Sequence, residues 1–153
     1  MAVSSACWCN SGIGAFCRED GGEVLWSDDA VRVVLADEPE WPGFCRVIWH
    51  AHVAEMSDLD NAARLKLMAA VNGVERAIRR VLAPAKVNLA SLGNQVPHVH
   101  WHVIPRHSND SRFPLPIWAP RQRTVSQALL SNRRAQATLL REAVRAEMAL
   151  AFG

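Results

Sequence analysis

The sequence predicts an α+β chain: three strand-like runs precede one long amphipathic helix, two more follow it, and a second helical stretch comes last. Three observations carry that prediction. Val24-Leu25-Trp26 and Val31-Arg32-Val33-Val34-Leu35 flank the turn-type Ser27-Asp28-Asp29, the pattern of a hairpin. Leu67, Val71, Val74, Ile78 and Val81 recur at three- and four-residue intervals, the period of a helix with one apolar stripe. His98-Val99-His100-Trp101-His102-Val103-Ile104 alternates polar and apolar side chains, as a strand with two unlike faces does.

The elements follow in order. After the hairpin, Glu38-Pro39-Glu40-Trp41-Pro42-Gly43 is a breaker-rich loop, and Phe44 to Val53 forms a third strand ending in histidines. Ser57 is the expected cap of the long helix, with Asp60 three residues later; Pro84 stops it after about six turns. Arg64, Lys66, Glu75, Arg76, Arg79 and Arg80 form its solvated outer face. Lys86 to Leu92 returns to strand character, Gly93-Asn94-Gln95-Val96-Pro97 is a polar connection lying over the end of the sheet, and His98 to Ile104 is a last strand closed by Pro105. A segment rich in Pro, Arg and Asn, with Phe113, Ile117 and Trp118 as anchors, leads to a helix from about Thr124 to Phe152.

Composition bounds the function. A chain of 153 residues, half of them hydrophobic, is long enough for one core, so a single domain over 1–153 is expected, with the motif-bearing part at 24–106 and a tail at 107–153. The formal charge is only +2 and the basic residues are dispersed, which argues against a nucleic-acid partner. No run approaches the ~20 apolar residues of a membrane span and the first residues lack a basic, then apolar, leader, so a cytoplasmic location is expected. The four cysteines are too sparse for a disulfide framework, and reduced thiols are expected. Cys7 and Cys9 are separated by one residue, whereas zinc knuckles use two to four, so no structural zinc is expected.

The histidine strand carries the chemistry. Alternation puts His98, His100 and His102 on one face and Val99, Trp101 and Val103 on the other, with Trp101 packed in the core. Three imidazoles on one face are costly to place without a use. Two readings compete. His-x-His on a strand is a metal-binding pattern, and His50-Ala51-His52 supplies a second such pair; yet the nearest acids, Asp110 and Glu55, are poorly placed as ligands or their supports. The covalent reading needs only a neutral imidazole aimed at phosphorus, flanking groups to neutralise charge, and a proton for the leaving group. A nucleotide-binding protein without turnover is the third possibility.

The strand resembles the signature of the histidine triad family, His-φ-His-φ-His-φ-φ with φ apolar, at every position, and Pro105-Arg106 continues the resemblance. Gly43 to Val53 is similar to the family's glycine, apolar strand and downstream histidine, with His52 at that histidine's place and Glu55-Met56-Ser57-Asp58-Leu59 opening the next helix. The resemblance implies an antiparallel sheet of about five strands packed on the long helix, a homodimer, and hydrolysis or transfer of nucleotidyl groups. It implies His100 as nucleophile, His98 and His102 assisting with phosphate and leaving group, and His52 supporting them. Asn88, Asn94 and Gln95 fall where the family places polar groups near ribose and phosphates, and Arg106 adjoins the triad strand as a phosphate contact. The sequence departs from the family where Gly93-Asn94-Gln95-Val96-Pro97 replaces a Gly-Gln-hydroxyl pattern, and where Gly14 stands in place of the first cysteine of a zinc-binding Cys-x-x-Cys ending at Cys17. The expected activity is therefore hydrolysis of dinucleoside polyphosphates or related adenylated nucleotides, with no bound cofactor and Mg²⁺ entering only with a polyphosphate substrate. Trp118 is expected either to anchor the tail or to lie beside the nucleotide of a partner subunit.

Overall fold

The computed structural model describes residues 14–153. A short helix α1 (Ala15–Arg18) leads to β1 (Glu23–Ser27), β2 (Val31–Leu35) and β3 (Cys45–Trp49); α2 (Asn61–Leu82) crosses over to β4 (Lys86–Ala90) and β5 (His100–Arg106), and α3 (Gln127–Ala137) and α4 (Leu140–Phe152) follow. The strands form a five-stranded sheet in the order β1-β2-β3-β5-β4, each neighbouring pair antiparallel. The expected fold class is thus observed. β5 lies inside the sheet, flanked by β3 and β4, which gives the triad strand a neighbour on each side.

Sequence alternation decides the two faces. Val31, Val33, Cys45, Val47, Val87, Val99 and Val103 pack with Leu67, Val71, Val74 and Ile78 of α2 in one buried cluster. Trp101 joins that cluster from the expected side, its indole N–H donating to Met56 Sδ at 3.5 Å. The opposite face holds the histidines and a smaller cluster of Ala36, Trp41, Phe44, Ile104 and Ile117. In the hairpin, Asp28 Oδ1 accepts from the backbone N–H of Ala30 and Val31, both at 2.8 Å, which is why a turn forms at that aspartate.

Several boundaries differ from expectation. Asp60, not Ser57, caps the long helix: its Oδ1 accepts from Ala63 N at 2.8 Å, while Met56–Asp58 forms a separate 3₁₀ turn. β3 stops at Trp49, so His50 and His52 lie in the bend beyond it, and β5 starts at His100, leaving His98 just outside the strand. Pro105 does not close β5 but pairs with Val87. Beyond the Cys45↔Val103 pair only β4 accompanies β5, an edge-like setting in which proline is tolerated. The tail helix is two helices. Thr138 Oγ1 donates to Ala135 O at 2.6 Å as α3 ends, and α4 starts afresh at Leu140.

α4 accounts for part of the charged face of α2. Glu147 is buried and accepts from Arg76 Nε and Arg80 Nη1, each at 2.7 Å, so these two arginines fasten α4 instead of facing solvent alone. No helix among the described residues is long and apolar enough to cross a membrane.

Gly43 enters β3 with φ +92°, and a Cβ there would lie 2.3 Å from Leu82 Cδ1. Gly43→Ala is expected to destabilise the fold by about 1–3 kcal/mol, through both the left-handed backbone and overpacking. A lowered midpoint in chemical denaturation, with unchanged slope, is the measurement that checks it.

Candidate active site

The histidine face is roofed by α1, and Arg32 holds that roof. From β2, its Nη2 donates to Phe16 O at 2.7 Å and Glu19 O at 3.1 Å, and its Nε to Asp20 O at 3.0 Å. The Phe16 ring thereby stands edge-on to His100, centroids 4.8 Å apart. His100 and His102 follow, ring centroids 4.8 Å apart, with Phe44 and Trp118 at 5.4 and 5.7 Å from His102. These side chains open on a cleft of about 640 Å³ whose walls include Phe16, Glu38, Arg46 and Trp118 and the loop carrying Gly93, Asn94 and Gln95. Gly93 has φ +89°, a left-handed backbone that glycine adopts without strain, and a Cβ there would stand 3.7 Å from Val96 O.

Hydrogen bonds define the rings. His100 Nδ1 lies 2.6 Å from His98 O. A carbonyl only accepts, so Nδ1 carries the proton and a neutral ring leaves Nε2 with a free lone pair. His98 is itself buried, with Nε2 donating to Trp49 O at 2.5 Å. His98 is absent from the cleft walls and positions His100 through its main chain. His102 Nδ1 is buried with no hydrogen-bond partner among the described residues.

Electrostatics favours neutral rings. Burial lowers the His100 pKa, and the positive charge of Arg46 lowers it further against the opposing bond to His98 O. His102 is pushed down to about 4, first by burial and then by the charges of His100 and Arg46. At neutral pH both imidazoles that meet the cleft are therefore neutral, each with one N–H and one free lone pair.

The other expected site residues divide. Asn94 and Gln95 line the cleft. His52 stands behind the triad, its ring 5.4 Å from that of His98. Asn88 and Arg106 do not line it: Arg106 is 2% exposed, and its guanidinium donates to both Asp110 oxygens, to Asn88 Oδ1 and to Leu115 O. They adjoin the triad strand, but the donors of Arg106 are committed to Asp110, Asn88 and Leu115. Arg46 and Glu38 are the charged groups that meet the cleft instead, and Phe16 its aromatic wall; none was singled out from sequence. Trp118 lies over His102 of its own chain, 56% exposed.

A second cluster sits behind. Cys17 Sγ is 3.5 Å from His98 Nδ1 and 3.6 Å from His52 Nδ1, and the three donor atoms lie within 4.8 Å of one another. Such a trio offers the nitrogen and sulfur donors that zinc favours. Among the described residues Cys45 is a free, buried thiol. Cys7 and Cys9 lie outside the described residues. His50 is separate from the trio: Arg32 Nη1 donates to its Nδ1 at 3.4 Å, and its Nε2 meets Ser27 Oγ at 3.1 Å.

Comparison with known proteins bears on the fold and the family. An Ap4A phosphorylase of Mycobacterium tuberculosis is 29% identical over 126 residues, 78% of this chain and 64% of the relative, so this chain spans less than two-thirds of that protein's length. The asymmetrical bis(5'-nucleosyl)-tetraphosphatase of Schizosaccharomyces pombe is 28% identical over 95 residues, 59% of this chain and 52% of the relative. A histidine triad protein of Bradyrhizobium japonicum has the same fold, with a TM-score of 0.67 at 24% identity, covering 84% of this chain and 91% of the other. The profile of the HIT domain matches residues 18–109, from the roof of the cleft past the triad strand and its buried arginine, and by that match the chain belongs to the HIT domain family.

Proposed function

We propose that the protein is a nucleotidyl hydrolase acting on dinucleoside polyphosphates, or on related nucleotides with an activated α-phosphate, through a covalent nucleotidyl-His100 intermediate. The observation that carries this reading is the His100 ring itself: Nδ1 is tied to His98 O and the ring opens on a cleft. In the first step the Nε2 lone pair forms an N–P bond at the α-phosphorus. The bridging P–O bond breaks, and its electron pair leaves with the departing polyphosphate, which takes up a proton. The bond from Nδ1–H to the carbonyl stabilises the positive charge that develops on the ring. In the second step water attacks phosphorus, the N–P bond breaks, and a nucleoside monophosphate and the neutral imidazole are restored. Inorganic phosphate in place of water would give a diphosphate, the outcome suggested by the name of the mycobacterial relative.

His102 and the 92–96 loop, both at the cleft, are the groups proposed to contact nonbridging oxygens. His98 and His52 act behind His100 as positioning residues. In this scheme no metal carries the reaction, since the cluster of Cys17, His52 and His98 does not include His100.

The test is turnover of a panel of dinucleoside polyphosphates, nucleoside phosphoramidates and acyl-nucleotides, followed by chromatography with and without a chelator. Release of a nucleoside monophosphate or diphosphate that persists in chelator, with Mg²⁺ affecting only the polyphosphates, is the expected result. Activity abolished by chelator and restored by a transition metal would favour a metal-dependent hydrolase. Tight nucleotide binding without turnover of any compound would favour a binding protein.

A further inference from the structure

The cleft has two unlike ends. Toward β4 lies the polar loop with Asn94 and Gln95; toward β3 lie a phenyl ring, a guanidinium and a carboxylate. Arg46 is paired directly opposite His102 in the β3–β5 register, so its side chain leaves the sheet on the histidine face. Its Nη1 donates to Gly21 O at 2.8 Å, its Nη2 to Glu38 Oε1 at 3.3 Å, and its guanidinium carbon lies 5.2 Å from the Phe44 centroid. These contacts fix the plane of the fork while using one hydrogen on each terminal nitrogen, leaving one on each for a ligand. Phe16 belongs to the same end: a Cβ at Gly21 would fall 2.8 Å from Phe16 Cε1.

This end suits a base better than a phosphate. A polyanion placed here would meet the Glu38 carboxylate as well as Arg46, whereas a planar ring can pack on Phe16 and present its edge to both. Guanine offers a carbonyl acceptor, O6, next to the N1–H and N2–H donors, and a donor-only guanidinium beside an acceptor-only carboxylate matches that order. Adenine offers an amino donor next to the N1 acceptor, the reverse order, so with the nucleoside held in the same orientation both groups would face a group of their own kind. Resting on the nucleotide-processing reading above, we propose that Arg46, paired with Glu38, is a specificity-determining residue for the base, and that the cleft selects guanosine over adenosine nucleotides. The bond made and broken at phosphorus is unchanged; the nucleoside carried by the α-phosphate is what the pair decides.

The experiment is calorimetric titration of the full chain with GMP and with AMP, for the wild type, Arg46→Met, Arg46→Lys and Glu38→Gln. Steady-state rates on diguanosine and diadenosine tetraphosphate are measured in parallel. The wild type is expected to bind GMP roughly ten- to hundredfold more tightly than AMP. The same ratio is expected in kcat/KM, entering through KM. Arg46→Met should bring the ratio close to one, and Glu38→Gln should reduce it. Arg46→Lys, which keeps the charge and loses the fork, should reduce it too, and serves as the test if the Met variant fails to fold. Equal affinity of the wild type for the two nucleotides would overturn the proposal. So would variants that weaken both by one factor, the mark of a phosphate contact or of packing alone. Binding and turnover without base discrimination sinks only the base assignment, whereas failure to bind or turn over either nucleotide removes the functional reading with it.

Discussion

His100→Gly is expected to lower turnover on the order of 10⁴-fold or more, while nucleotide affinity stays within a few-fold of the wild type. The size of the effect follows from the role. Removing the atom that bonds to phosphorus eliminates the two-step route and leaves only what the cleft contributes by binding and orientation. Affinity survives because Phe16, Arg46, His102 and the 92–96 loop are untouched by the change. Rates by chromatography and affinities by calorimetry give the two halves of the comparison. A loss confined to affinity would make His100 a binding group only.

The largest expected effect on stability comes from Asp110→Ala, about 3–5 kcal/mol of destabilisation. Arg106 and Asp110 are 2% and 1% exposed, joined by bonds of 2.8 and 3.1 Å. Asp110 Oδ1 also accepts from the backbone of Arg112 at 3.0 Å and of Phe113 at 2.7 Å. Removal of the carboxylate leaves a guanidinium buried without its counter-charge and two orphaned N–H groups, a far greater cost than the pair's own net worth. A double variant that also replaces Arg106 by Met should recover part of the loss, because no unpaired charge is then left inside. Urea denaturation of the single and double variants measures both. Acid acts on the same pair. Burial alone would raise the Asp110 carboxyl, but the bonds from Arg106 and the backbone outweigh it and hold the pKa below the usual carboxylate range. The pair's contribution is therefore present above the unfolded pKa of about 4 and is lost as pH falls through the lower folded value. In Asp110→Ala that part of the acid sensitivity should disappear.

These residues show how far the sequence could be read. Periodicity was enough to place β2, the long helix and the shared face of His100 and His102, because burial on one side of a sheet imposes alternation that any register must respect. Caps and ends were less legible. Ser57 and Asp60 are both good caps, and the choice fell to Asp60 when Met56–Asp58 formed a turn of its own. The break between α3 and α4 falls at a threonine whose hydroxyl donates back to Ala135 O, within an otherwise helical composition.

Within the site, local motifs were visible and long-range partners were not. His100 and His102, Asn94 and Gln95 reach the cleft as expected, since one strand and its preceding loop carry them all. Arg106 misled because chain adjacency to the triad strand says nothing about Asp110 folding back over it. Arg46 was missed for the converse reason: it is an ordinary arginine in an apolar strand until the β3–β5 register sets it opposite His102. Phe16 likewise depends on three carbonyls gathered by Arg32 from a segment distant in sequence.

The covalent step is open to one direct measurement: rapid quenching of the protein with a dinucleoside polyphosphate, followed by mass spectrometry of the intact chain and of its peptides. A mass gain of one nucleotidyl group, labile in acid as an N–P bond is and mapped to His100, is the expected result. Steady turnover with that imidazole never modified, or with the adduct on another residue, would contradict it.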